Sequence, residues 1–192
     1  MKYFISIAAL ILSLSLHSKV YDQQFGTDNF YSAKTSLNFI KFEIEGTRAK
    51  VFPADVLGMA KRFSIKINIK KNIVNSAEVR FKVEDLDTDL AVRNKRLRNF
   101  CFNYEKYPEV TIKAKNYFRL KAKSQNVKAV MTIKGREKPI MLKLNSYKNG
   151  KKLYLKGSSE LSLKELEIPD PSTFFNKVSD KVNISFSVAI DL

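Results

Sequence analysis

The sequence predicts an all-β domain whose antiparallel strands close into a barrel or stack as a sandwich, with one short helix inserted. Three observations carry that expectation. Apolar and polar residues alternate with period two along most of the chain, turn residues separate the alternating runs, and a single stretch changes to helical spacing. At 192 residues, 44% of them apolar and with only 6 Gly and 5 Pro, the chain can bury a single core and is not collagen-like or disordered.

Residues 1–18 stand apart. Met1-Lys2 precedes an uncharged apolar run over 3–16, then His17-Ser18, the pattern of a cleaved secretory signal peptide. The run is shorter than the roughly 20 apolar residues a bilayer span requires. Export to the periplasm is therefore expected, with a lead-in segment over 19–34 and the barrel domain over 35–192. Cleavage removes Lys2 and no acidic residue, lowering the formal net charge from +16 to +15, and it removes His17, the only histidine.

The strands follow in order. The first, near 37–44, holds two phases: Leu37 and Phe39 do not match Ile40, Phe42 and Ile44, and a bulge near Ile40-Lys41 would reconcile them. Clean alternation then covers 63–70, 77–84, 110–115, 127–134, 140–144, 153–163 and 182–190, which makes about eight strands. Lys148-Asn149-Gly150-Lys151 and the stretch 134–139 read as hairpin turns. Between strands, about 88–100, Leu90, Leu97 and Cys101 share one helical face, with Asp87 or Thr88 placed to cap the first turn. Asp85, Asp87 and Asp89 have a calcium-loop spacing, but the loop lacks the EF-hand glycine, and Arg96 stands where its last glutamate belongs, so capping explains them better.

One face of these strands carries Lys66, Lys70, Arg80, Lys82, Lys113, Lys115, Lys128, Lys134 and Lys143. Facing lipid, each would cost about 2–4 kcal/mol near the bilayer midplane, and in a small lumen they would repel one another. They therefore face water. The inward set is Phe39, Phe63, Ile65, Ile67, Val79, Phe81, Ile112, Met131, Leu142, Leu155, Leu161, Ile184 and Phe186, lining either a filled core or an apolar cavity.

Chemistry is narrowed by what the mature chain lacks. Without histidine there is no Ser-His or Cys-His dyad and no His-ligated metal site, and the lone Cys101 can form neither an internal disulfide nor a Cys-rich zinc site. A buried free thiol is the expected state of Cys101, with an intermolecular disulfide as the alternative. Glu165 and Glu167, the nearest carboxylate pair, fall on opposite faces of an extended segment. No enzyme, cofactor or metal is expected. Basic strands with interleaved Tyr and Phe could form a single-strand nucleic-acid platform, but export and the spread of Lys over many strands favour a solvated surface or a general attraction to anionic membrane faces. No nucleic-acid partner is expected, and a homodimer is left open.

Asp87-Thr88-Asp89, Arg93, Leu97-Arg98-Asn99-Phe100 and the strand entry Lys106-Tyr107-Pro108 together resemble the signature of the YceI-like proteins. Met131-Thr132-Ile133-Lys134-Gly135 through Pro139-Ile140 is similar to that family's hairpin, and the segments around Leu163 to Ile168 and Val178 to Ile184 to its ending. The resemblance spans about 35–192. It implies an extended, lipocalin-like antiparallel barrel that holds a long polyisoprenoid or similar amphiphile in the lumen, with a fatty acid or fatty amide as the alternative. Arg93, Arg96 and Arg98 are headgroup candidates, because guanidinium forks suit pyrophosphate or carboxylate, and Lys164 joins them where the family usually has an Arg near the last hairpin. The chain departs from the family at Arg62, where a Gly is common, and at an insertion around Pro169-Asp170-Pro171.

Overall fold

The computed structural model describes residues 18–49, 51–121 and 123–192, so all but the last residue of the expected signal peptide lies outside the described residues. Strands β1 (Lys19–Gly26), β2 (Phe39–Arg48), β3 (Phe52–Pro53), β4 (Val56–Ala60), β5 (Arg62–Lys70), β6 (Ile73–Lys82) and β7 (Leu86–Asp87) form the first half. Strands β8 (Glu109–Ala114), β9 (Phe118–Arg119), β10 (Gln125–Ile133), β11 (Arg136–Asn149), β12 (Lys152–Ser162) and β13 (Asn176–Asp191) form the second. The eight expected strands are β2, β5, β6, β8 and β10 to β13. The additional ones are β1, β4 and three two-residue pieces.

All pairings are antiparallel, in the order β1-β5-β6-β8-β10-β11-β12-β13-β2-β4-β7. The sheet curls back on itself because β4 and β5 are separated only by Lys61: the run pairs with β2 in its first half and with β1 and β6 in its second. Residues of the expected lead-in add to this closure. β1 lies along the whole of β5, and the Gln23 side chain exchanges hydrogen bonds with the Asp191 backbone at the far end of β13.

Register corrects three local expectations. β2 runs unbroken against β13 from Phe39 to Ile44, so there is no bulge at Ile40-Lys41; the irregularities fall between Val178 and Val182 and between Asn68 and Ile69. Phe39 consequently points out of the barrel. It packs with Phe30, Ala33 and Met59 beneath helix α1 (Phe30–Thr35), whose Asn29 cap accepts from the Ser32 N–H at 3.0 Å. The 134–139 turn shrinks to Lys134-Gly135, both at positive φ, and Pro139 lies inside β11 opposite Val130, where pairing to β12 has not begun. In the second hairpin Gly150 alone takes positive φ (57°), and Asn149 belongs to the strand.

The helical insertion begins later than expected. Helix α2 (Ala91–Arg96) passes directly into a π-helical turn, Leu97–Phe102, ended by Asn103 in the left-handed region. The wider turn brings Phe102 round to join Leu97 and Cys101 on the inner side. Capping is also reversed: Leu90 precedes the helix without a side-chain bond, and Asn94 reaches back instead. Its Oδ1 accepts from the Thr88 N–H (2.8 Å) and hydroxyl (2.6 Å), and its Nδ2 donates to Asp87 (2.8 Å).

Candidate functional site: the barrel lumen

The inward faces enclose a cavity of about 330 Å³, continued by a smaller one of about 60 Å³ that shares Ile40, Ile112, Met131 and Ile184 as walls. Strand periodicity arranges the interior in layers. Phe81, Ile133 and Val182 stand in the outer cavity, and Ile65, Leu142 and Phe186 in the inner one. One or two pleats further on, Ile67, Val74, Leu153 and Ile190 are fully buried and line neither. The slot is therefore sealed at this end by close-packed side chains. At the other end it opens between α2, the loop through Pro171 and Thr173, and the end of β2, where Arg48, Arg93, Arg96 and Asn176 are the polar walls.

Two glycines keep the slot wide. Gly58 lies opposite Phe42 and Gly157 opposite Phe186, and in each pair the tip of the phenyl ring lies against the glycine. A Cβ at Gly58 would collide with the tip of the Phe42 ring, and one at Gly157 would sit 2.5 Å from Phe186 Cζ. The ring covers a cross-strand glycine instead of projecting into the lumen.

Polar bonds fix the cover over the mouth. Arg93 donates from Nε to the Thr88 hydroxyl (3.1 Å) and from Nη2 to the Thr88 carbonyl (3.0 Å). Arg96 donates to the carbonyls of Pro171 and Ser172, both at 3.1 Å, and stacks over the Phe100 ring. The loop that carries Pro169-Asp170-Pro171 is thus tied to α2. Burial raises the Asp87 carboxyl, but the bonds from Asn94 and the Asp89 N–H, with the charges of Lys61 and Arg98, outweigh it and hold the pKa below its ordinary 3.8. Cys101 lines the slot as a buried free thiol, pushed up to about 11 by desolvation against the pull of Arg96 and Lys134.

Of the expected lumen residues, Phe63, Ile65, Val79, Leu142, Leu161 and Phe186 line the inner cavity, Phe81 the outer, and Ile112, Met131 and Ile184 both. Ile67 and Leu155 belong to the packed end, and Phe39 lies outside. Among the headgroup candidates only Arg93 and Arg96 line the slot. Arg98 turns to the Leu86 carbonyl (3.2 Å), and exposed Lys164 has its backbone N–H bonded to Asp180. Sequence reasoning missed Phe42, Cys101, Leu166 and Arg48. The phase of Ile40, Phe42 and Ile44 was the signal for the first, and the helical face shared with Leu90 and Leu97 for Cys101; nothing local signals Leu166 or Arg48. Arg62 points Nε and Nη2 at one oxygen of buried Asp85, Oδ1, at 2.7 and 2.6 Å on the outside of the barrel.

Fold and slot together define a lipocalin-like antiparallel barrel with a one-ended apolar cavity. The chain belongs to the YceI-like family: the YceI-like domain matches residues 24–190. Similar solved structures include Burkholderia cenocepacia BcnA (19% identity, TM-score 0.64, covering 80% of this chain and 96% of that one). A polyisoprenoid binding domain from Saccharophagus degradans, implicated in plant cell wall breakdown, matches at 14% identity and TM-score 0.64 over 80% of this chain and 93% of its own. Campylobacter jejuni YceI protein matches at 19% and 0.63, over 72% and 86%. No curated protein sequence matches significantly.

Proposed function

We propose that this protein is an exported, periplasmic carrier that holds a single isoprenoid-type amphiphile, tail inward and head at the mouth. The observation that carries the reading is the layered slot: about 330 Å³ of apolar space tapering into about 60 Å³ and ending on packed side chains. Ligand pockets of this kind run from about 300 to 1,000 Å³ and use a few polar groups to fix orientation. Burying a hydrocarbon tail contributes about 0.8 kcal/mol per methylene, offset by its lost flexibility. Arg93 and Arg48 stand where an anionic or polar head would emerge. The polyisoprenoid-binding relative and the family membership support the same ligand class. The reading is that of a binding protein. Its test is native mass spectrometry and lipid extraction of protein purified from its own host. One isoprenoid chain per barrel is expected; an empty barrel would remove the reading, and a free fatty acid or amide would replace the ligand class.

A further inference from the structure

The rim of the slot carries a feature that ligand binding inside it does not require. Phe174 is 90% exposed, and Phe175, Phe52, Val51 and Val92 are each at least 66% exposed. Large apolar side chains in this number on one rim mark an interaction surface. They belong to three segments joined at the mouth. The Ala49 N–H donates to the Phe175 carbonyl at 2.8 Å, Arg48 pairs with both Phe52 and Asn176, and Arg96 binds the carbonyls of Pro171 and Ser172.

Basic residues are in the majority on the same segments: Arg48, Arg93, Lys95, Arg96 and Lys177 stand there, against Asp170 within them and Asp55, Asp87 and Asp89 beside them. The whole chain is strongly basic, at +16.

We infer that this rim is a docking face for an anionic phospholipid surface, with Phe52, Phe174 and Phe175 entering the headgroup region and the arginines and lysines meeting its phosphates. Aromatic rings favour that interfacial depth, and each basic residue near an anionic surface adds a salt-sensitive attraction. The placement rests on the slot being a lipid site, because it sets the open end of the cavity directly on the source of an amphiphile.

The test is co-sedimentation of the full mature protein with vesicles of phosphatidylcholine, alone or mixed with phosphatidylglycerol, at low and high salt. The wild type is expected to pellet with the mixed vesicles, less with phosphatidylcholine alone, and less as salt rises. The double variant Phe174→Ser, Phe175→Ser is expected to lose about tenfold in vesicle affinity while keeping its melting temperature. Phe52→Ser and Arg48→Glu, made separately, guard against a misfolded double variant and are expected to weaken binding too. A wild type that ignores both vesicles, or variants that pellet as well as it does, would overturn the inference and leave the rim to a protein partner. Mass spectra of the lipid carried by each protein separate the two readings: docking by a chain whose slot is empty supports this face and removes the carrier role.

Discussion

The pairing of Phe42 with Gly58 sets the width of the outer slot, so Gly58→Ala should narrow it from the wall inward. An added Cβ would stand 2.7 Å from Phe42 Cε2 and closer still to Cζ and Cε1, so even Cε2 must retreat about 0.7 Å to reach ordinary contact at 3.4 Å. The three nearest atoms at Gly58 all belong to the Phe42 ring, whereas at Gly157 the Lys143 carbonyl is among them. The ring can therefore swing into the cavity, and the fold should lose less than the 1–3 kcal/mol or so typical of overpacking in a filled core. If the swung ring takes the room of about two methylenes, ligand binding loses about 1.6 kcal/mol, or roughly fifteenfold in Kd. Native mass spectrometry should show reduced occupancy with a bias to shorter or slimmer chains, and Phe42→Leu in the Gly58→Ala background should restore the wild-type pattern. Unchanged ligand length and occupancy in Gly58→Ala, at unchanged melting temperature, would refute the idea that this ring borders the ligand path.

Three further outcomes follow from the geometry. Arg62→Ala leaves buried Asp85 without its guanidinium partner and should lower the midpoint of a denaturant melt, and the double variant with Asp85→Ala should recover part of the loss. Asp87 sits below 3.8 in the fold, so the stability it lends to α2 is present above pH 3.8 and lost as pH falls through its depressed value; hydrogen exchange over residues 91–102 should show that loss, and Asp87→Asn should abolish the pH dependence. The Cys101 thiol is raised to about 11 from an ordinary 9.0, so its contribution is complete below pH 9 and disappears as pH rises through 11; at neutral pH it should resist iodoacetamide until the chain is unfolded.

Strand identity was legible because period two survives any packing arrangement: each of the eight expected runs became a strand, and ten of the thirteen expected lumen positions line the slot. What failed was information that lies between strands. Phe39 and Ile40 compete for the interior, and only the presence of α1 over Met59 decides that Phe39 faces outward. Ile67 and Leu155 alternate as cleanly as Ile65 and Leu161, yet they lie a pleat or two deeper, where opposite walls meet. The arginines divide for a similar reason. Arg93 and Arg98 are alike in sequence, but the π-helical turn sends Arg98 to the Leu86 carbonyl and leaves Arg93 on the slot. Backbone carbonyl partners have no signature in residue type.

The packed layer of Ile67, Val74, Leu153 and Ile190 makes the barrel a cup, not a tube. Whatever enters must back out through the doorway it came in by, and no newcomer can push an occupant out from behind. For the proposed carrier, turnover of cargo would therefore pass through an unladen intermediate, its pace governed by events at a single threshold under α2 and the loop it grips.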